Sequence, residues 1–363
     1  MTRSETWVDQ HEHASIIDVA RRAGVSAATV SRALRGLPHV SPETRRRVQH
    51  AAEELSYVAS PAGTGLASGR TRTIGVVVPL ATRWFFSEVV AAAEGVLSAR
   101  DYDVLLYNLG DDAGRARFFE RMPLRRRVDA VLVIALPLTA EEAAKLQALR
   151  VPVVVVGAHP SVFPTVRIDD EAGARQAVQH LLNLGHDSIT MISSLEDNDP
   201  GFASAPQRRA GYRDAVAHVG HVHHVVAGSW GLEGGARAME SVLAGERLPT
   251  AVFAEYDEMA FGALLTLRRA GLSVPRDLSI VGFDDQAMAA VVELTTVSQP
   301  VQEQGALAAD LLMRGLEDGL GDPVDPVDPV DIVLPTRLVI RGSTAPPSGE
   351  PTSGHPVQVP HHE

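Results

Sequence analysis

The 363-residue sequence contains no cysteine. That absence excludes disulfides, thiolate nucleophiles and cysteine-ligated zinc, and it suits a reducing compartment. No uninterrupted apolar run approaches the roughly 20 residues that span a bilayer, so no membrane association is expected. Residues 1–13 are polar and acidic and lack the apolar stretch of a signal peptide, which points to the cytoplasm. The Gly-x-Ser-x-Gly elbow, the P-loop with its lysine and the His-Glu-x-x-His helix are also missing. No enzyme activity, metal or cofactor is therefore expected. What is present is a chain that is 45% hydrophobic, enough to build a sizeable core.

Charge is unevenly placed. Residues 1–72 hold ten arginines and seven acidic residues, a net of +3, which leaves −15 to the remainder of a chain whose total is −12. A basic end on an acidic body suits a protein that presents that end to phosphates.

The hydrophobic pattern divides the chain into a disordered leader (1–14), a three-helix segment (15–58), a linker (59–72), an α/β body (73–343) and a disordered tail (344–363). Within the head, Ile16, Val19, Ala20 and Ala23 recur at helical spacing and Gly24 stops the helix. Ser26 caps a second helix with Val30, Ala33 and Leu34 inward, and Ser41-Pro42 opens a third that buries Val48, Ala51, Ala52 and Leu55. From residue 74 the pattern changes to short β-branched runs, at 74–78, 102–107, 130–134, 153–156, 188–192, 251–254 and 279–281. Helical stretches at 88–100, 171–184, 207–219, 233–243 and 258–270 separate most of them. Alternation of this kind predicts βαβ units, parallel sheets flanked by helices and, at this length, two lobes around a cleft. The Pro-Val-Asp triple repeat at 323–331 forbids helix and reads as an extended connector.

The motif Asp18-Val-Ala-Arg-Arg-Ala-Gly-Val-Ser-Ala-Ala-Thr-Val-Ser-Arg-Ala-Leu34 has the physics of a helix-turn-helix. Small Ala20 lets two helices approach, Gly24 permits the turn, Val25 plugs the joint, and Ser26 starts a helix suited to the major groove. These residues resemble the LacI/GalR family of bacterial repressors. The resemblance continues in order through Ser41-Pro-Glu-Thr-Arg45, Ala51-Ala-Glu-Glu-Leu-Ser-Tyr57, Gly69-Arg-Thr-Arg-Thr-Ile-Gly75, Asp169-Asp-Glu-Ala-Gly173, Arg208-Arg-Ala-Gly-Tyr212, Asp257-Glu-Met-Ala260, Val281-Gly-Phe-Asp-Asp285 and Thr295-Thr-Val-Ser-Gln-Pro300. It implies an all-α DNA-binding head before a periplasmic-binding-protein-like sensor of two lobes. It also implies a homodimer, a palindromic double-stranded operator and a small-molecule effector, a carbohydrate or related metabolite, that controls repression.

By the same resemblance, Ala27, Ala28, Thr29, Ser31 and Arg32 form the operator-reading side of the second helix, and His39 contacts DNA. Among them only Arg32 can make a bidentate contact to guanine. Arg45, Arg46 and Arg47 are available to neutralise phosphates. The segment 59–69 matches a hinge helix in which Leu66 wedges open the minor groove. Gly63 and Gly65 each cost that helix about 1 kcal/mol relative to alanine, so its order is expected to depend on DNA. In the sensor, the resemblance assigns Phe85, Arg208, Trp230, Tyr256, Asp257 and Asp284 to the effector. Tyr256 stands where many relatives carry asparagine, and its bulk should shrink the pocket or swing aside. His218, His221, His223 and His224 crowd one stretch, but without an acidic partner at helical spacing they read as a solvated loop. A solute-binding transport protein and a sugar-processing enzyme share the predicted core; the head argues against the first, and the missing catalytic motifs against the second.

Overall fold

The computed structural model describes residues 14–34, 36–57, 70–158, 162–194, 204–318 and 329–348. Residues 1–13, residues 58–69 with the hinge candidates Gly63, Gly65 and Leu66, most of the Pro-Val-Asp repeat and residues 349–363 lie outside the described residues. The chain divides into two compact units, 1–72 and 73–363.

The first unit holds α1 (Ile16–Ala23), α2 (Ala27–Leu34) and α3 (Pro42–Glu54). Each begins on a serine whose hydroxyl takes an otherwise orphaned backbone N–H: Ser15 from Asp18, Ser26 from Thr29 and Ser41 from Thr44. Asp18 reciprocates by accepting from the Ser15 backbone at 2.9 Å, closing a capping box. Gly24 ends α1 in the left-handed region, φ +64°, where a side chain would be strained. Val19, Val30 and Val48 are wholly buried, one from each helix, and the alanines of the three helices let them close around that centre.

The second unit contains two six-stranded sheets with helices on their faces. In the first lobe lie β1 (Thr73–Val78), β2 (Asp103–Asn108), β3 (Ala130–Ile134), β4 (Val153–Val156), β5 (Thr165–Ile168) and β11 (Asp331–Leu334). Their order is β11-β5-β4-β3-β1-β2, all parallel. The second lobe holds β6 (Ile189–Ser193), β7 (His224–Ala227), β8 (Ala251–Ala254), β9 (Ser279–Asp284), β10 (Thr295–Ser298) and β12 (Arg337–Val339). Their order is β12-β10-β9-β8-β6-β7, and only the edge strand β12 runs antiparallel. Near-continuous valine and isoleucine in β1, β3 and β4 follow from burial on both sheet faces.

Helices α4 (Trp84–Ser98), α5 (Asp112–Arg121), α6 (Ala140–Gln147) and α12 (Val301–Glu317) belong to the first lobe. In the second lie α7 (Asp170–Asn183), α8 (Ser204–His218), α9 (Gly231–Leu243), α10 (Asp257–Arg269) and α11 (Ala287–Val291). The chain passes between the sheets three times, between β5 and α7, between β10 and α12, and between β11 and β12. The cleft lies across these crossings. None of the described helices is long and apolar enough to cross a membrane.

One expectation requires correction. The disordered tail does not begin at residue 344. Ala345 donates its N–H to Ser279 Oγ at 3.0 Å, its carbonyl accepts from Ser279, and Ser348 bonds the carbonyl of Arg276. These bonds tie residues 344–348 to the second lobe. The histidine-rich stretch joins a helix to a strand as expected, with His218, His223 and His224 exposed: His218 ends α8 and His224 opens β7, where its Nδ1 bonds Thr190 Oγ1 at 3.1 Å. Among the described residues no group of histidine and carboxylate side chains is arranged to hold a metal.

Candidate functional sites: recognition helix and interlobe cleft

On α2, Ala28 and Arg32 are exposed and Ser31 half-buried, and their spacing of three and four residues puts them on one face. Ala27 and Thr29 are less available. Ala27 packs against the head's core, and Thr29 Oγ1 is engaged with Ser26 Oγ at 2.9 Å. His39 is exposed, in a left-handed conformation with φ +68°. The three arginines of α3 divide. Arg45 donates to the carbonyls of Ala33 at 3.1 Å and Leu37 at 3.0 Å, so it closes the C-terminal end of α2 instead of standing ready for phosphate. Arg46 and Arg47 remain exposed.

The cleft is partly open to solvent, and its own cavity volume is about 60 Å³. Its first-lobe wall is mostly apolar: Trp84, Phe85 and Phe86 from the first turn of α4, with Ala135, Gly157 and Ile168 at strand ends. Phe85 and Phe86 meet edge to face at 5.6 Å. The second-lobe wall is polar, with Asp170, Ser204, Arg208, Tyr256, Glu258, Asp284 and Gln286. Trp230, at the start of α9, packs on Tyr256 at 4.8 Å and an interplanar angle of 39°. Tyr256 does not swing aside; it lines the cleft. Its hydroxyl lies 3.0 Å from Ser204 Oγ, and its ring forms one side of a sleeve around Arg208. At the mouth, Arg83 reaches from the first lobe to Glu258 of the second at 2.7 Å and lies over Gly231. Gly231 has φ +78°, where a side chain is strained, and a Cβ there would also have to displace the Arg83 guanidinium 2.2 Å away.

Arg208 organises the second-lobe wall. It is 2% exposed, held between the rings of Phe283 at 3.6 Å and Tyr256 at 4.7 Å. Its Nε donates to Asp170 Oδ1 at 2.8 Å, and Nη1 donates to the Glu255 carbonyl at 2.8 Å and to Asp284 Oδ1 at 3.4 Å. Burial works against the cation, but Asp170 and Asp284 outweigh it and hold the guanidinium more firmly protonated than usual. Burial pushes the Asp284 carboxyl up to about 6, against the opposing pull of Arg208 and a 2.6 Å hydrogen bond from Gln299 Nε2. Asp284, which ends β9, and Asp285, which follows it, adopt positive-φ conformations, +124° and +59°. That strain is held by Arg341, which pairs with Asp285 at 2.6 Å.

The fold therefore brings together five of the six residues assigned to the effector: Phe85, Arg208, Trp230, Tyr256 and Asp284. Asp257 stands apart. It does not line the cleft; it is fully buried, accepting from Thr296 Oγ1 at 2.6 Å and from the Gln286 N–H at 3.0 Å, and it secures the turn after β9. Burial, with Asp284 nearby, raises its carboxyl well above the usual range. Its neighbour Glu258 faces the cleft in its place. Sequence reasoning missed Asp170, Gln299, Gln304, Arg83 and Glu258. Asp170, Glu258 and Gln299 lie inside quoted landmarks. The paired aspartates divide the work, Asp169 capping α7 through the Ala172 N–H while Asp170 holds Arg208.

Residues 15–60 match the model described as bacterial regulatory proteins, lacI family, and residues 178–344 match a periplasmic binding protein-like domain. Catabolite control protein A of Priestia megaterium is 33% identical over 91% of this chain and 99% of its own length. The transcriptional repressor CytR of Escherichia coli K12 is 34% identical over 92% of this chain and 97% of its own. Among solved structures, the lac repressor dimer bound to operator and an anti-inducer aligns with TM-score 0.77 and 26% identity, covering 92% of this chain and 99% of that one. A cellobiose complex of the regulator CelR aligns with TM-score 0.65 and 30% identity, over 91% of this chain and 99% of its own. The helix-turn-helix head, the two parallel-sheet lobes and these full-length matches establish that the chain belongs to the LacI family of bacterial transcription regulators.

Proposed function

We propose that this regulator is a cytoplasmic homodimeric repressor that reads a palindromic operator through Ala28, Ser31 and Arg32 and is controlled by a carbohydrate bound between its lobes. The observation that carries this reading is the cleft itself. Aromatic rings on one wall suit the apolar faces of a sugar, and a buried guanidinium between two carboxylates on the other suits its hydroxyls. Ala27 and Thr29 support the recognition face from behind, and His39 and Leu66 are further candidate DNA contacts. Binding and not turnover is the role we assign to the cleft, because its carboxylates are already engaged by Arg208, Gln299 and Arg83. Dimerisation is supported by large apolar side chains left exposed on the second lobe, including Leu232 (48% exposed), Met288 (51%) and Val291 (76%). The test is a gel shift with DNA from upstream of the protein's own gene and its neighbours, repeated with a sugar panel. The reading expects a specific complex that one sugar weakens or strengthens. Binding that ignores DNA sequence at every salt concentration overturns it.

A further inference from the structure

We infer that Gln304 is a specificity residue on the first-lobe wall, whose side-chain oxygen accepts a hydrogen bond from a hydroxyl of the effector; this deepens the carbohydrate reading above and rests on it. Gln304 lies in the first turn of α12, fully buried, and lines the cleft on a wall otherwise built largely of aromatic and small apolar residues. Its Oε1 has no hydrogen-bond partner among the described residues. A buried amide oxygen in that state is costly, and such groups in folded proteins have an explanation.

The orientation of the amide follows from the chemistry of its neighbours. Asp284, when ionised, can only accept. It receives Gln299 Nε2 at 2.6 Å, so Gln299 must turn its oxygen toward Gln304. That oxygen receives Gln304 Nε2 at 3.1 Å, which leaves Gln304 Oε1 as the free acceptor of the series. One carboxylate thus fixes the polarity of two amides. It sets the first-lobe anchor as an acceptor, and the matching ligand group is a donor. The complementary ligand is a polyhydroxylated molecule that spans the cleft, with one hydroxyl engaging the Arg208–Asp284 cluster and another donating to Gln304. Gln299 sits on one of the three crossings between the lobes, so such a ligand would join both lobes through the same hydrogen-bonded series.

The experiment compares full-length wild type with Gln304→Leu, first without ligand and then by thermal shift and calorimetry with D-ribose, D-glucose, D-galactose and cellobiose. Ligand-free, the variant should melt within about three degrees of wild type, because one orphan acceptor is removed while Gln299 Oε1 is released. The sugar that stabilises wild type should bind the variant roughly five- to tenfold more weakly. One monodeoxy analogue of that sugar should bind both proteins alike, since the missing hydroxyl and the missing acceptor belong to one bond. Unchanged affinity for the parent sugar, or equal losses with every deoxy analogue, overturns the inference. So does a ligand-free melting temperature lower by more than about three degrees, the mark of a packing residue or one satisfied by a resident water. If none of these sugars stabilises wild type, the carbohydrate reading fails separately, and the ligand-free comparison alone decides the role of Gln304.

Discussion

The head and the cleft each present a prominent arginine, under opposite conditions. Arg32 stands exposed on a three-helix unit whose core is built from small apolar side chains. Arg208 is 2% exposed, bonded to two carboxylates and wrapped by two rings. An exposed reader is separable from the fold that carries it, because losing it leaves no buried partner. A buried one is not, because Asp170 and Asp284 are in the interior only while Arg208 neutralises them. DNA specificity should therefore change freely by substitution, while the effector site should resist change at a cost in stability.

The largest expected effect tests that contrast at its stronger end. Arg208→Ala should destabilise the sensor unit by about 3–5 kcal/mol, measured by urea denaturation, because two buried carboxylates lose their counter-charge. A loss below about 1 kcal/mol would show that the cleft is as tolerant as the head.

A second test uses pH. The Asp284 carboxyl is raised to about 6, so in the folded protein it holds its proton more tightly than in the unfolded chain. Its stability contribution is full below the unfolded value, near 4, and fades as pH rises through about 6. The groups facing it are Arg208, Asp170, Glu258 and Asp257. Asp257 and Glu255, also raised by burial, act in the same direction. The stability difference between wild type and Asp284→Asn should therefore change between about pH 4 and 6 and stay level above about 7. A flat difference across the acid range would remove burial as the dominant influence on Asp284.

At the head, Arg32→Ala should cost about 1–3 kcal/mol of operator specificity per half-site, with most non-specific binding retained. Its effect on stability should stay within about 0.5 kcal/mol. Unchanged discrimination between operator and scrambled DNA, measured by competition gel shift, would remove Arg32 as the base reader.

The same contrast explains what could be read in the sequence. Most of the head was legible, because its determinants are local: Ser26 and Ser41 cap at fixed offsets, Gly24 turns the chain, and Val19, Val30 and Val48 fall at helical spacing; the capping box on Ser15 came only from the structure. Long valine runs likewise revealed β1, β3 and β4. Strands β5 and β11, four residues each, carry Arg167 and Asp331, which pair across the sheet edge at 2.8 Å and obscure the apolar pattern. The cleft was legible only where the family resemblance supplied residues. Asp170, Arg208 and Asp284 converge from three elements spread over more than a hundred positions, and no local spacing announces such a meeting. Asp257 shows the opposite limit: the motif around it was recognised, but the fold turns its carboxylate inward, and only the packing of Thr296 and Gln286 around it reveals that.

The central claim is that occupancy of the cleft governs the grip of the head on DNA. The most direct measurement is operator affinity by fluorescence anisotropy at fixed salt, titrated with the sugar that stabilises the wild type, for wild type and Asp284→Asn in parallel. The wild type should shift by about 5- to 150-fold. The variant should bind operator as tightly as wild type without sugar and respond little or not at all. A variant that still responds at wild-type sugar concentrations would contradict the account and move the effector site away from this cleft.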